Sequence, residues 1–262
     1  MKTNEDGRTA MNILLVNDDG IDSPFLALLC RAAAARGHHV TVVAPATQQS
    51  AKSHCFTIDR PLCAYPRQVE GAAAAWAVDG TPVDCCRVGL MRLCAQRPDL
   101  VLSGINLGYN TGLATFVSGT VGAAREAAFQ GVPAMAVSGE PRTPQETLAF
   151  FADWAVALGE RLIHYPAPEL SVCNLNVPPV PMHELKEPRM CPITRNIYKD
   201  NYEQRVSPRG QVYFWLYPEE QDDHPTPGSD LDLLQQGHIT CTFLTPDDGC
   251  DQQQYASLLT GL

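Results

Sequence analysis

Two neighbouring carboxylates at the end of an apolar run are the clearest chemical feature of this chain. The segment reads Asn12-Ile13-Leu14-Leu15-Val16-Asn17-Asp18-Asp19-Gly20. In an open α/β sheet the carboxyl ends of the strands are where ligands sit. Two acids placed there repel one another unless a cation, a proton or a set of hydrogen bonds compensates. Carboxylate oxygens suit hard divalent ions such as magnesium, calcium or manganese. The plain alternative is a solvated turn in which Asp18 or Asp19 caps the next helix.

Three more groups fall where other strand-like runs end. Pro45 to Ser50 closes a second run, with Ser50 the last polar group before Ala51 and Lys52. A third loop reads Ser103-Gly104-Ile105-Asn106-Leu107-Gly108-Tyr109-Asn110-Thr111-Gly112. Its glycines and asparagines permit left-handed backbone and close approach to a ligand, although such turns are also common without one. Ser118-Gly119-Thr120 opens a helix with free N–H groups, two hydroxyls and the positive end of the helix dipole. Those features suit a phosphate, while the plain reading is an N-cap with no ligand. Convergence on one rim favours function. Oxygen atoms of Asp18, Asp19, Ser50 and Asn106 would form part of an octahedron, leaving positions for water and a phosphate oxygen. A cation so held polarises phosphoryl oxygens and acidifies a bound water. That is the ground plan of a metal-assisted phosphatase.

The other polar groups are weaker candidates. The seven histidines have no metal-ligand spacing, although His54 is close enough to Ser50 to approach the pocket. Lys52, Arg125 and Arg195 are candidate phosphate partners, with Arg125 expected to pair elsewhere. The acidic run Glu219-Glu220-Gln221-Asp222-Asp223 reads as a solvated loop.

The elements that must position these groups alternate along the first half of the chain. Residues 12–17 read as a buried strand, and Ser23-Pro24 opens a helix that stops at Gly37. His39 to Ala44 is a second strand. Thr81-Pro82-Val83-Asp84 is a capping signature that predicts a helix to about Gln96. Leu100 to Ser103 reads as a third strand, Ser118 to Gln130 as a helix, and Val132 to Ser138 as a fourth strand. Thr143-Pro144-Gln145-Glu146 repeats the capping pattern and predicts a helix reaching His164. Residues 46–80 read as an excursion from the sheet.

This spacing implies an α/β protein with a three-layer, Rossmann-like, mostly parallel sheet and helices on both faces. After residue 165 prolines cluster, and extended arms and hairpins are expected, with a strand at Val212 to Tyr217. A brief helix near Ser229 to Gln236 and a strand near His238 to Leu244 follow. The expected organisation is a loose tail over 1–10, a catalytic core over 11–165, and an arm region over 166–262. That last region would complete the core and the oligomer interface.

Bulk composition narrows the classes. The 262 residues can bury a sizeable core, and 45% hydrophobic with 18% charged residues is ordinary for a globular protein. A net charge of -10 and a pI near 5.1 argue against nucleic-acid polymers as partners. The ten cysteines have no Cys-x-x-Cys pair and lie mostly in apolar runs, so they read as buried thiols in a reducing compartment. A polar start and no membrane-length apolar run lead to the expectation of a cytoplasmic protein without membrane contact.

Several motifs in fixed order also resemble the SurE family of metal-dependent 5'/3'-nucleotidases, known as survival-protein phosphatases. They are Asn12 to Gly20, Val42-Val43-Ala44-Pro45 with Ser50, Gly80 to Cys85, Pro98 to Asn110 and Ser118 to Ala124. The likeness returns weakly at Ser229-Asp230-Leu231-Asp232 and Thr245-Pro246. It implies one divalent cation per subunit, magnesium or manganese, held by Asp18, Asp19, Ser50 and Asn106. It places phosphate near Ser118, Gly119 and Thr120, with Asn110 helping. The implied substrates are nucleoside monophosphates, with 3'-nucleotidase or polyphosphatase activity as extensions. Homodimers or homotetramers with exchanged C-terminal arms are implied as well.

The chain departs from the family pattern at Ala51, where glycine is usual, and at Val117, where tyrosine commonly precedes the Ser-Gly-Thr run. A stiffer Ser50 loop is expected. Two other classes compete. A phospho-receiver module needs an aspartate at the end of the third strand, where this chain has Ser103. A dinucleotide-binding protein needs Gly-x-Gly-x-x-Gly after the first strand, where Asp-Asp-Gly stands. A catalytically silent nucleotide- or phosphate-binding protein is the remaining alternative.

Overall fold

The computed structural model describes residues 10–195, 200–218 and 225–246. All but Ala10 of the expected tail, and the acidic run 219–223, lie outside them. In chain order the first elements are β1 (Asn12–Val16), α1 (Pro24–Ala35), β2 (His39–Pro45), β3 (Ala64–Arg67) and β4 (Ala74–Val78). Next come α2 (Pro82–Val88), β5 (Leu100–Leu107), α3 (Ala114–Val117), α4 (Gly119–Phe129), β6 (Ala134–Gly139) and α5 (Gln145–Leu162). The last are β7 (Val172–Val177), β8 (Lys186–Met190), β9 (Asp200–Val206), β10 (Val212–Pro218), α6 (Asp230–Gln235) and β11 (His238–Leu244).

A nine-stranded sheet runs in the order β3-β4-β2-β1-β5-β6-β7-β11-β8. The strands from β4 to β7 are parallel, which demands crossovers, and the helices supply them. Alternation along β1 sends Ile13 and Leu15 to the face covered by α1 and α5. Leu14 and Val16 go to the face covered by α2 and α4. A sheet buried on both faces is therefore the middle of three layers, as the sequence pattern predicts. β9 and β10 form a separate antiparallel hairpin. Among the described residues, no helix is long and apolar enough to cross a membrane.

Differences from the sequence expectations have local causes. Residues 46–80 do not leave the sheet entirely: β4 pairs with β2, and β3 closes the edge. The alanine-rich β4, Ala-Ala-Trp-Ala-Val, lacks the β-branched signal of a strand. α2 forms the expected capping box, with the Thr81 hydroxyl accepting from the Asp84 N–H and Asp84 accepting from the Thr81 N–H. It ends at Val88 and passes into a wider turn over 89–93, closed by the Cys94 N–H on the Gly89 carbonyl. α5 begins without a side-chain cap, because Pro144 takes the N-cap position.

β5 continues four residues past the expected stop at Ser103, and Asn106 is on the strand rather than in a loop. Gly104 makes this continuation workable. It has φ +144, and a Cβ there would collide with the Val137 carbonyl on β6. The register between β5 and β6 shifts at the same point, between Ser103 and Asn106.

Candidate metal and phosphate site

The ends of β1, β2 and β5 and the start of α4 meet at one rim. Asn17 shapes the turn after β1: its side-chain amide donates to the Gly20 carbonyl at 2.8 Å and its oxygen accepts from the Gly20 N–H at 3.2 Å. With the turn braced in this way, the Asp18 and Asp19 side chains project toward the neighbouring loops.

Asp18 is buried and faces the first turn of α4. The Thr120 hydroxyl donates to Asp18 Oδ1 at 2.6 Å, and the Thr120 N–H bonds the same carboxylate. Gly119 packs against it as well, since a Cβ there would come within 3.2 Å of the Asp18 Cβ. Burial raises the Asp18 pKa to about 6, with the Thr120 hydroxyl opposing the rise and the Asp19 charge adding to it. Asp19 is less buried. Its Oδ2 accepts the Leu107 N–H at 3.1 Å, and Gln48 gives it a side-chain bond. Burial raises its pKa too, against those two hydrogen bonds.

The remaining expected oxygen donors are tied to the same rim. The loop bearing Ser50 is held by the Gln49 N–H on the Asp18 carbonyl at 2.7 Å, and Ser50 itself is exposed. Ala51, at the family's glycine position, has φ +56, and Ser53 has φ +53. Left-handed backbone of this kind is normally left to glycine. Asn106 donates its side-chain amide to the Gly108 carbonyl at 2.8 Å, which leaves its side-chain oxygen as the atom to offer a cation.

Neither aspartate has an ion-pair partner among the described residues. Two adjacent carboxylates with raised pKa values, a hydroxyl and an amide oxygen make a donor set of hard oxygens alone. That chemistry fits magnesium or manganese and does not fit a soft thiophilic ion. The described residues hold no group of three or more His, Cys, Asp or Glu with metal-holding geometry. A cation at this rim would need oxygen donors beyond the two acids, and Ser50 and Asn106 are the candidates.

The phosphate-side residues are placed less simply than their types imply. Ser118 is the N-cap of α4, its hydroxyl oxygen accepting the Val121 N–H at 3.1 Å. The Thr120 hydroxyl and N–H are engaged by Asp18, so the helix start receives this carboxylate first. Asn110 is buried and anchored from three sides. Its N–H donates to Asn176 Oδ1 at 2.8 Å and its amide to the Ser138 hydroxyl at 2.9 Å. Its carbonyl accepts from Asn174 and Asn176 at 2.8 and 3.1 Å.

His54 turns away from the rim and bonds the buried Glu126 at 2.9 Å, while its ring stacks on Phe129. Arg125 donates to the Thr115 carbonyl at 3.3 Å, and burial lowers its pKa. Lys52 and Arg195 are exposed. Sequence reasoning missed Asn17, Gln48, Asn174 and Asn176. Of these, only Asn17 carried a usable signal, an Asx turn three residues before a glycine.

A cavity of about 360 Å³ lies at the opposite rim, between the start of β6, the start of β7 and the end of β11. Val132, Leu162, Leu170 and Phe243 line it, and Glu169 is its one acid. It lacks converging acids and a helix start.

Comparison with known proteins identifies the family. Residues 13–200 match the family model described as "Survival protein SurE". A protein of Maridesulfovibrio salexigens named 5'-nucleotidase SurE is 41% identical over 248 residues, covering 95% of this chain and 98% of its own length. A protein of the same name from Nitratidesulfovibrio vulgaris is 44% identical over 237 residues, covering 90% of this chain and 87% of its own length. The crystal structure of the SurE protein from Aquifex aeolicus superposes with a TM-score of 0.76 at 31% identity, covering 95% of this chain and 98% of that one. A match over most of the chain in sequence and in fold places this protein in the SurE family.

Proposed function

We propose that this protein is a divalent-cation-dependent phosphohydrolase that removes phosphate from nucleoside monophosphates, acting first as a 5'-nucleotidase. The observation that carries the reading is the placement of Asp18 and Asp19 against the start of α4, in a chain whose relatives are named 5'-nucleotidase. Asp18, Asp19, Ser50 and Asn106 would hold one magnesium or manganese ion. When bound, the ion polarises the phosphoryl oxygens and lowers the pKa of water beside it.

The chain's own residues do the rest. Asp19, the more accessible of the two acids, orients the attacking water and takes its proton. Thr120 fixes Asp18 and keeps its carboxylate turned to the rim. The Gly119 N–H and the hydroxyl proton of Ser118 are directed to the equatorial oxygens of the phosphate, where negative charge builds. Asn110, locked by Asn174, Asn176 and Ser138, offers the second N–H of its side-chain amide to the same group.

We also infer self-association through the β9–β10 hairpin. Tyr202, Phe214, Trp215 and Leu216 are each more than half exposed on it. A two-stranded hairpin is marginal in water, and an apolar surface of this kind is normally covered. A second copy of the chain, as homodimer or homotetramer, is the proposed cover.

The deciding experiment is phosphate release from a panel of nucleotides after chelation and after return of magnesium, manganese or zinc. Release from nucleoside monophosphates that stops on chelation and returns with a cation is expected. No release from any phosphoester with any of these ions would refute the reading.

A further inference from the structure

Asp230 stands outside the machinery just described, yet it is fully buried at the start of α6. Buried carboxylates require hydrogen-bond partners. Its Oδ2 accepts the Gly112 N–H at 2.8 Å, across 118 residues of chain. Its Oδ1 accepts the Thr194 N–H at 2.7 Å and the Leu231 N–H at 2.8 Å. Gly112 ends the loop that carries Asn110, and Thr194 lies just before the β9–β10 hairpin.

The two segments also touch directly. A Cβ at Gly112 would come within 2.5 Å of the Thr194 side chain and 2.7 Å of its carbonyl, and Gly112 has φ +51. The Gly112 carbonyl accepts from Thr115 Oγ1 at 2.7 Å, which ties the same turn to α3, the helix leading into Ser118. α6 has six residues, and Asp230 stands in its first turn. Only one of the three N–H donors on Asp230, that of Leu231, belongs to α6.

We propose that Asp230 is a positioning residue: its carboxylate clasps the Asn110 loop to the root of the hairpin arm and so sets the phosphate side of the site. The proposal rests on the phosphohydrolase reading above. The clasp touches neither Asp18 nor Asp19, so its loss separates phosphate affinity from cation affinity. A charged acceptor is needed because one carboxylate serves three N–H donors, and an amide would turn its own N–H groups on one of them.

The test compares Asp230→Asn with the unaltered protein. In folded Asp230→Asn, the KM for a nucleoside monophosphate and the inhibition constant for inorganic phosphate should each rise at least tenfold. The manganese dissociation constant should stay within twofold. Unchanged KM and phosphate inhibition would overturn the proposal, as would a parallel loss of manganese affinity that follows only the folded fraction.

Should the variant fail to fold, the unaltered protein decides by amide exchange. Adding inorganic phosphate should slow exchange over 108–113 and over 192–195 together, and slowing confined to 108–113 would overturn the coupling. Failure of the unaltered protein to hydrolyse any phosphoester would refute the enzymatic reading instead, while the exchange measurement still judges the clasp.

Discussion

At Asp18 a proton and the proposed cation would compete for the same oxygens. Its folded-state pKa of about 6 lies above the ordinary value of 3.8, so folding disfavours its ionised form. Without a cation, the associated stability is intact below about pH 4 and is lost as the pH rises through about 6. The full difference is roughly 3 kcal/mol at 1.36 kcal/mol per pH unit. Cation-free protein should therefore melt at a lower temperature at pH 8 than at pH 5. Asp18→Asn should remove that part of the slope, and identical slopes in both proteins would refute the assignment. Asp19→Asn should fold normally and lose turnover by at least 10²-fold, with near-normal turnover ruling out its role. Ala51 adds a local test. Its left-handed backbone costs about 1 kcal/mol, so Ala51→Gly should raise stability to urea by up to about that amount. A loss of stability would show that the strain lies elsewhere.

Among the elements, α4 does more than present its first turn. At Gly122 the helix lies so close to the loop after Ser50 that a Cβ would collide with the Ser53 carbonyl. Ser53 is held there by its N–H on the Val117 carbonyl and its hydroxyl on the Phe116 carbonyl, at 2.9 and 2.6 Å. Gly122→Ala sets two effects against each other. Helix propensity favours alanine by about 1 kcal/mol, whereas overpacking costs about 1–3 kcal/mol. The second should win, displacing the Ser50 loop and lowering kcat/KM at least tenfold in steady-state assays. Wild-type kinetics would mean that the loop does not position Ser50.

Sequence patterning revealed most elements at this scale, because β1, β2 and β6 are apolar runs and α2 carries its own capping box. β4 stayed hidden in alanines, and β5 was cut short because Gly104 reads as a breaker. The candidate site was legible where its groups are local: Asp18, Asp19, Ser50 and the Ser118 N-cap. It was illegible where partners are distant. Nothing in one sequence connects Thr120 to Asp18, Asn176 to Asn110, or Asp230 to Gly112.

For the molecule as a whole, the proposed self-association through the hairpin is open to a direct test. Replacing both Phe214 and Trp215 by serine removes two large exposed rings from it. The doubly substituted chain should keep its fold and elute as a monomer when mass is measured by light scattering. An unchanged oligomeric mass would show that another surface mediates association. The Asp230 clasp then has a consequence for enzymology at low concentration. If the hairpin grips a neighbour and Asp230 links its root to the Asn110 loop, output per mole of chain should decline on serial dilution. It should recover on reconcentration, whereas Asp230→Asn, already uncoupled, should respond in simple proportion to the amount added.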